Sequence, residues 1–418
     1  MNHRLNPIDE VFLSITGEAL THGQFLRFSG KPPPLKELRD HVAERLPALP
    51  GLTHRMTPAR GRRPRREPVF GFDPASHVGE RTFPAETPLD TVLTALAREP
   101  LLDSAPLWSM HLVHGYAGGE FAICYRVHHS AEDGMGAAHI VTTLFGDGGP
   151  PDGTRRPAGP RPLISGSARE LARGTVSVGT GLARALLPAR SWPRAPEPRP
   201  ERLGVASAGA AWNELRELSR RFGGTLNDAF LMTLWQALAD WSADGDRDVR
   251  SLFRTAPVPV RMPLSTRLPG EEGLLGNHLT TAVVTLPVRG TPLDIAFPQL
   301  AERTRRMRAH GLRPASRALV GILPSPVTRW TVRRLLNPHA SPLYASNFSL
   351  PAALSFRGAP AIDATPLGVL LPGNALSVTL LSYGQQVRVG FLYDRALPGA
   401  ERLAGLWREA LDTLSVTA

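Results

Sequence analysis

Residues 148–203 are the part of the chain that most limits how the rest can fold. Proline, glycine and arginine dominate this segment, as in GGPPDGTRRPAGPRP and PARSWPRAPEPRPERLG. Proline and glycine interrupt helices and strands, so we expect a linker or crossover here. On either side, helix-like and strand-like patterns alternate, as is typical of α/β folds. The 418 residues are enough for two domains, and we predict them over residues 1–147 and 204–418.

Two neighbouring strands are predicted in the first domain. The runs LWSMHLVHGY and EFAICYRVHH are rich in apolar residues, and Gly118 and Gly119 lie between them, so they predict a β-hairpin. Thr87 and Pro88 stand where the cap and first turn of a helix belong. Apolar residues at helical spacing predict helices over residues 34–46, 87–98 and 135–145.

The linker and the second domain show similar patterns. The middle of the linker, Ser167 to Leu187, is apolar enough for a helix. Hairpin-like spacing between successive strands favours mixed sheets over purely parallel ones. Periodicity predicts helices over residues 211–222, 226–241, 292–310 and 399–413, and strands over residues 279–286, 343–350, 375–383 and 386–394.

The charge of the chain limits the class of ligand. The formal net charge is +11, and lysine occurs only twice among the 48 basic residues. An arginine-rich surface attracts nucleic acid, anionic lipid or a phosphate-bearing cofactor such as coenzyme A. No helix-turn-helix, RRM or zinc-finger pattern accompanies the charge, which argues against nucleic acid. We interpret the sharpest cluster, the arginines between Arg60 and Arg66, as a solvated loop.

The single cysteine, Cys124, excludes a disulfide within the chain, and no Cys/His cluster suggests a metal site. No apolar run is long enough for a transmembrane helix, and the first residues lack the order of a signal peptide. We therefore expect a cytoplasmic protein. The arginines of the 167–187 helix leave contact with a membrane surface or lipid droplet open.

The segment YRVHHSAEDGMG, residues 125–136, is the strongest candidate for chemistry. Because side chains alternate between the two faces of a strand, His128 and His129 point to opposite sides. One histidine could therefore enter a cavity and act as a base, while Asp133 turns the chain into the next helix. From spacing alone, a histidine pair at a strand end without a catalytic role is an equal alternative. HExxH, GxSxG, P-loop and GxGxxG motifs are absent from the sequence.

Sequence blocks along nearly the whole chain resemble the bacterial wax ester synthase/diacylglycerol acyltransferase family. HHSAEDG, residues 128–134, is similar to the HHxxxDG signature that this family shares with CoA-dependent acyltransferases and condensation domains. Seven further segments also resemble blocks of this family. In order along the chain they are NPIDEVFL, FDPASHV, LLDSAPLW, TLNDAFL, PVPVRMPLSTR, LLGNH and SNFSLP.

The resemblance implies two chloramphenicol acetyltransferase-like subdomains, each a mixed β-sheet flanked by helices, with an active-site tunnel between them. It implies that His129 is the general base and that His128 faces away and supports the loop. Asp133 and Gly134 would hold the turn, and Arg261 is the expected partner of Asp133. Acyl-CoA would be a co-substrate, with no metal and no permanently bound cofactor.

The resemblance also suggests residues along the tunnel. Asn277 is expected to donate a hydrogen bond to the oxyanion. Other tunnel-side candidates are Trp108, Glu132, Ser346 and Asn347, and residues expected to brace the tunnel are Pro106, Asn227 and Asp228.

Two departures from the family pattern leave the acceptor open. Glu132 stands where the family has an apolar residue, and SNFSLP lacks the Pro-Gly of the family block SNVPGP. The acceptor could be a long-chain alcohol or diacylglycerol. Alternatively, the enzyme could tailor a specialised metabolite, taking the acyl group from CoA or a carrier protein to a hydroxyl or amine, with Glu132 near that acceptor. A non-catalytic acyl- or lipid-binding protein is a third reading, and Glu132 could simply be exposed to solvent. Two halves can supply both walls of a site, so we expect a monomer.

Overall fold

The computed structural model describes residues 3–15, 20–57, 63–101, 106–146, 164–186, 199–244, 257–336, 343–351 and 353–417. Its α-helices are α1 (Pro7–Ser14), α2 (Leu35–Arg45), α3 (Leu89–Arg98), α4 (Gly134–Phe145), α5 (Ala168–Leu186), α6 (Trp212–Arg221), α7 (Leu226–Asp244), α8 (Leu293–Ala309), α9 (Leu312–Ile322), α10 (Ser325–Leu335) and α11 (Leu403–Thr417). Its strands are β1 (His3–Arg4), β2 (Thr21–Ser29), β3 (His54–Thr57), β4 (Arg65–Pro68), β5 (Val78–Thr82), β6 (Trp108–His114), β7 (Glu120–His128), β8 (Leu203–Ala211), β9 (Pro259–Ser265), β10 (Leu279–Thr285), β11 (Leu343–Ser349), β12 (Ser355–Phe356), β13 (Ala359–Leu367), β14 (Leu376–Tyr383) and β15 (Gln386–Asp394).

The first large sheet has the strand order β12-β13-β2-β7-β6-β5. All neighbours are antiparallel except β5 and β6, so the sheet is mixed, and the predicted β6–β7 hairpin is confirmed. The two faces of β7 meet different layers. Ile123 and Tyr125 pack in the core that α2 and α4 cover, while Cys124 packs in the core that contains α3.

The second large sheet has the strand order β10-β9-β11-β14-β15-β8. It is also mixed, because β11 runs parallel to both β9 and β14 while the other pairs are antiparallel. Helices α6, α7, α8 and α11 cover one face and form with it the largest core. A fold with two mixed sheets flanked by helices is therefore confirmed.

The strands do not sort into the sheets in simple chain order. β12 and β13 come late in the chain, yet β13 pairs with β2 in the first sheet. By contrast, β8 is the first strand after the linker, and it forms an edge of the second sheet. The chain thus crosses between the halves more than once, and the division at residues 147 and 204 stays a prediction.

The predicted helices are present with small shifts, and several elements were not predicted. Helix α3 begins at Leu89, one residue later than predicted, because Pro88 rather than Thr87 is the N-cap. Helices α9 and α10 were missed, and so was β8, whose sequence LGVASAGAA lacks apolar–polar alternation. No described helix is long and apolar enough to cross a bilayer.

Candidate active site

The turn between β7 and α4 carries the histidine pair and lies where the two halves meet. The backbone N–H of His129 donates to the carbonyl of Leu20 at 2.8 Å, which extends the pairing of β2 and β7. Asp133 is the N-cap of α4, and its carboxylate accepts the Gly136 N–H at 2.9 Å. A strand end and a helix start therefore fix both ends of the turn.

His129 is half-buried, and its ring is held by aromatic neighbours. It stacks on Phe12 of α1 with the ring centroids 4.2 Å apart and the planes 15° apart, and the His22 ring lies 4.9 Å away. Nδ1 is enclosed and has no hydrogen-bond partner among the described residues. Burial lowers the pKa of His129, and the charge of Asp133 offsets this only in part. The imidazole is therefore neutral near pH 7.

His128 is the last residue of β7 and comes directly before His129. Its Nδ1 and the hydroxyl of Ser130 are 2.6 Å apart, so the ring is tied back to the turn. Burial, followed by the proximity of His129, lowers the pKa of His128 to about 4.

Asp133 forms a buried ion pair with Arg267, at 2.5 Å, and accepts the His278 N–H at 2.9 Å. Burial alone would raise the pKa of Asp133, but the Arg267 guanidinium and the donated hydrogen bonds hold it below its ordinary value. The prediction that Arg261 pairs with Asp133 is wrong. Arg261 projects from the middle of β9 and donates to Thr281 at 3.1 Å, whereas Arg267 follows the end of that strand in the loop that returns to the turn.

Glu132 is buried, with 4% of its surface exposed, so the reading of it as a solvent-exposed residue is wrong. Its carboxylate accepts the Gly276 N–H at 3.1 Å and lies 3.6 Å from Arg66. Burial, the main cause, and the charge of Asp133 raise the pKa of Glu132 to about 8, against the opposing effect of Arg66. A Cβ at Gly136 would lie 2.4 Å from this carboxylate, so a larger residue there would displace the Glu132 side chain.

Asn277 lies at the site but cannot play the predicted role. Its side-chain N–H groups donate to Asp9 at 2.9 Å and to the carbonyl of His129 at 2.6 Å. Both donors are thus used inside the protein, so the predicted donation to an oxyanion is wrong. Instead, Asn277 ties the second half to α1 and to the backbone of His129.

Several site residues were missed by the sequence reasoning. His22 bonds to the Glu132 carbonyl at 2.8 Å, and burial, the main cause, lowers its pKa to about 3. Arg66 lies 3.6 Å from Asp9, and Arg63 donates to Glu10 at 2.6 Å, so these two arginines are not part of a solvated loop. Residues 60 and 62 lie outside the described part. The block NPIDEVFL was the one signal for α1.

The remaining candidates lie in other surroundings. Trp108 is enclosed in the first core, where its indole N–H donates to Leu52 at 2.8 Å, so it lines no open passage. Asp228 accepts the Thr225 N–H at 2.8 Å at the start of α7 and has a structural role. Five candidates remain. Gly134 begins α4, Ser346 donates to Thr379 at 2.9 Å, and Asn347 is exposed. Pro106 is buried and Asn227 is half-buried.

A cavity of about 1090 Å³ lies next to the turn and is lined by residues of α1, α5, β9, β10, α8, α9 and α10. About half of the residues that line it are aliphatic, while Arg173, Arg184 and Arg306, which are exposed, lie at its rim. Phe12 lines the cavity and also stacks on His129. One phenyl ring, that of Phe12, therefore contacts both the cavity and His129. No cluster of potential metal ligands occurs among the described residues.

Comparison with solved structures identifies the fold. A wax ester synthase/diacylglycerol acyltransferase from Marinobacter aquaeolei superposes with a TM-score of 0.71 and 18% identity, covering 99% of each chain. The first condensation domain of the calcium-dependent antibiotic synthetase gives 0.67 and 18% identity, covering 99% of this chain and 96% of that one. The starter condensation domain of rhizomide synthetase, in complex with C8-CoA, gives 0.65 and 16% identity, covering 100% and 94%.

Sequence comparison identifies the family. A putative diacylglycerol O-acyltransferase of Mycobacterium bovis is 26% identical over 383 residues, covering 83% of each chain. A probable diacylglycerol O-acyltransferase of Mycobacterium tuberculosis is 24% identical over 354 residues, covering 77% of this chain and 75% of that one. The family models for the wax ester synthase/diacylglycerol acyltransferase catalytic domain and C-terminal domain match residues 5–189 and 275–415. The chain is therefore an acyltransferase and belongs to the wax ester synthase/diacylglycerol acyltransferase family.

Proposed function

We propose that the protein transfers an acyl group from acyl-CoA to the hydroxyl group of a long-chain alcohol or diacylglycerol, with His129 as the general base. The observation that carries the proposal is a neutral, half-buried imidazole that shares Phe12 with a large apolar cavity. The names of the relatives, which are diacylglycerol O-acyltransferases, support this acceptor class.

In this mechanism Nε2 of His129 meets the acceptor, because Nδ1 is enclosed. Nε2 takes the hydroxyl proton while the oxygen attacks the thioester carbonyl, and the tetrahedral intermediate collapses with release of the CoA thiolate, which recovers the proton from the imidazolium. A positioned base of this kind contributes roughly a hundred- to ten-thousand-fold to the rate. A thioester is already an activated acyl donor, so no covalent enzyme intermediate is needed.

The surroundings of the possible nucleophiles support a direct transfer. Burial, the main cause, raises the pKa of the Cys124 thiol to about 12, so the thiolate is scarce at neutral pH. Ser130 lies close to His128, as a nucleophile would, but it has no exposed surface. Neither side chain is accessible to a thioester.

The cavity suits the hydrocarbon chain of a substrate. Pockets for organic ligands commonly occupy about 300–1,000 Å³, so a cavity of about 1090 Å³ is large enough for a long chain. An aliphatic lining favours such a chain through burial of apolar surface. Arginines at the rim carry the charge that the phosphates of CoA would need.

A second candidate is transfer to an amine or a polar hydroxyl from CoA or a carrier-protein thioester. The similarity of the fold to condensation domains over the whole chain favours keeping this candidate. The two candidates share His129 as the base, so they differ in substrates rather than in the catalytic group.

The test is release of free thiol from palmitoyl-CoA in the presence of hexadecanol or diolein. The wild type should release thiol only with an acceptor, and His129→Ala should lose at least about a hundredfold in turnover. His114→Ala is the matched control, because His114 lies on β6 and pairs with Glu80 at 2.8 Å, away from the turn. Unchanged turnover in His129→Ala would refute the base. No acceptor-dependent thiol with either alcohol would favour the second candidate.

A further inference from the structure

Arg261 is a buried arginine that has no carboxylate partner among the described residues. Only 2% of its surface is exposed, and it lies on β9 between β10 and β11. Val260 and Met262, its neighbours along the strand, point into the core of the second half. Arg261 points the other way and lines the 1090 Å³ cavity.

The guanidinium of Arg261 is only partly satisfied. One N–H donates to the Thr281 hydroxyl at 3.1 Å, while Nε is enclosed without a partner, and no described carboxylate forms a salt bridge with it. The group lies 6.0 Å from the centre of the Tyr344 ring, near the outer limit of a cation–π contact. Burial raises the pKa of Tyr344 to about 12, so the phenol provides no negative charge at neutral pH.

Several other arginines with little exposed surface are paired with carboxylates. Arg267 pairs with Asp133, and Arg317 pairs with Glu271 at 2.7 Å. An arginine removed from water is costly unless an anion or several acceptors compensate it. Around Arg261, the space that could hold such an anion is the cavity itself, because the strands on both sides are occupied by backbone pairing.

We propose that Arg261 binds an anionic oxygen group, a carboxylate or a phosphate, on a ligand whose hydrocarbon chain occupies the cavity. A guanidinium presents its donors in a planar fork that matches two oxygens of such a group. The aliphatic part of the lining favours an amphiphile over a small, fully hydrated anion. The inference deepens the proposed function and rests on it, since the same cavity would hold the substrate chain.

The position of Arg261 places the proposed anionic group at the wall of the cavity that the second sheet forms. Phe12 marks the end of the cavity next to His129, whereas Arg261 lies in the wall formed by the second sheet. The source of the anionic oxygens is either a carboxylate carried on the acyl or acceptor chain or a phosphate of the CoA moiety.

Binding of matched sixteen-carbon probes tests the proposal without turnover. Hexadecanoate, hexadecyl phosphate and hexadecanol differ in the head group alone, and CoA without an acyl chain tests the other source of phosphate. The wild type should bind at least one anionic probe about tenfold or more tightly than hexadecanol. In Arg261→Met this preference should fall to about one, with hexadecanol binding retained.

Arg303→Met is the matched control. Arg303 lines the same cavity, but it is half-buried and its guanidinium donates to the Thr285 carbonyl at 2.6 Å, so solvent already compensates its charge. This variant should keep most of the preference. An equal loss in both variants, or an undiminished preference in Arg261→Met, would overturn the assignment. Preference for the carboxylate probe or competition by CoA distinguishes the two sources.

Stability without ligand gives an independent measurement. If Arg261 is held for a ligand, replacing its uncompensated charge by Met should leave the melting temperature unchanged or raise it. A pronounced fall in melting temperature would show that Arg261 is structural and would overturn the proposal. His129→Ala should bind the probes as the wild type does, so failure of the base assignment and failure of this site give different results.

Discussion

The turn that carries His129 and the cavity that Phe12 lines differ in whether their buried charged side chains have partners of opposite charge. At the turn, Asp133 pairs with Arg267, and Arg66 lies 3.6 Å from Asp9. In the cavity wall, Arg261 has no carboxylate partner among the described residues. Matched charges hold a fixed shape, whereas an unmatched charge is available to a ligand. In our proposal, the turn positions the base and the cavity wall selects the substrate.

Replacing Asp133 should give the largest effect on stability. Asp133→Asn keeps an acceptor for the Gly136 N–H but leaves Arg267 as an uncompensated buried charge. Loss of one partner of a buried pair costs about 3–5 kcal/mol, which urea unfolding would measure. The control is Asp412→Asn, which removes an exposed i,i+4 pair with Arg408 and should cost less than about 1 kcal/mol. Equal stability of Asp133→Asn and the wild type would contradict a charge-matched turn.

Glu132 should make stability depend on pH. Its folded pKa of about 8 lies above the 4.5 of an ordinary glutamate, so the folded state keeps a proton that the unfolded state has lost. Unfolding free energy should therefore fall in the wild type, relative to Glu132→Gln, as pH rises from about 5 to 8. The difference should reach roughly 2–4 kcal/mol at pH 8 and vanish near pH 4.

Denaturant unfolding at several pH values measures this difference. Glu409→Gln, an exposed change on α11, should follow the wild type within about 0.5 kcal/mol at every pH. If the wild type and Glu132→Gln run parallel from pH 5 to 8, Glu132 ionises normally and is not enclosed as described.

Phe12 is the boundary between the two regions, and its change should give the smallest effect. Phe12→Leu keeps apolar volume but removes the ring that stacks on His129. A less firmly oriented imidazole should lower kcat by about ten- to a hundredfold with little change in KM. Ile8→Val alters the same cavity wall, and its kcat should stay near that of the wild type. Equal kcat values for the two variants would show that the stacked ring does not orient the base.

Sequence periodicity predicted elements whose partners are close in the chain. The β6–β7 hairpin and helix α4 carry strong local patterns, and both are present. β8 carries no such pattern, because its residues are small. These small residues let other groups approach the strand, and a Cβ at Gly204 would lie 2.5 Å from the Tyr393 ring. The pairing of β13 with β2 joins residues more than 300 positions apart, which local patterns do not encode.

At the site, too, local sequence patterns predicted residues that are close in the chain but not their distant partners. His129, His128 and Asp133 were recognisable because they lie within one short segment. The partner of Asp133 was not, since Arg261 and Arg267 lie close in sequence and only the loop after β9 decides which one reaches the turn. The burial of Glu132 depends likewise on Gly276, which approaches from the second half.

The most direct test is an NMR titration of the His129 imidazole, assigned by comparison with His129→Gln. We predict a midpoint below 6.5, the ordinary value, because burial disfavours the charged ring. Such a ring is neutral and able to accept a proton at pH 7. A midpoint at or above 6.5 would contradict the account, because the base would then be substantially protonated near neutral pH.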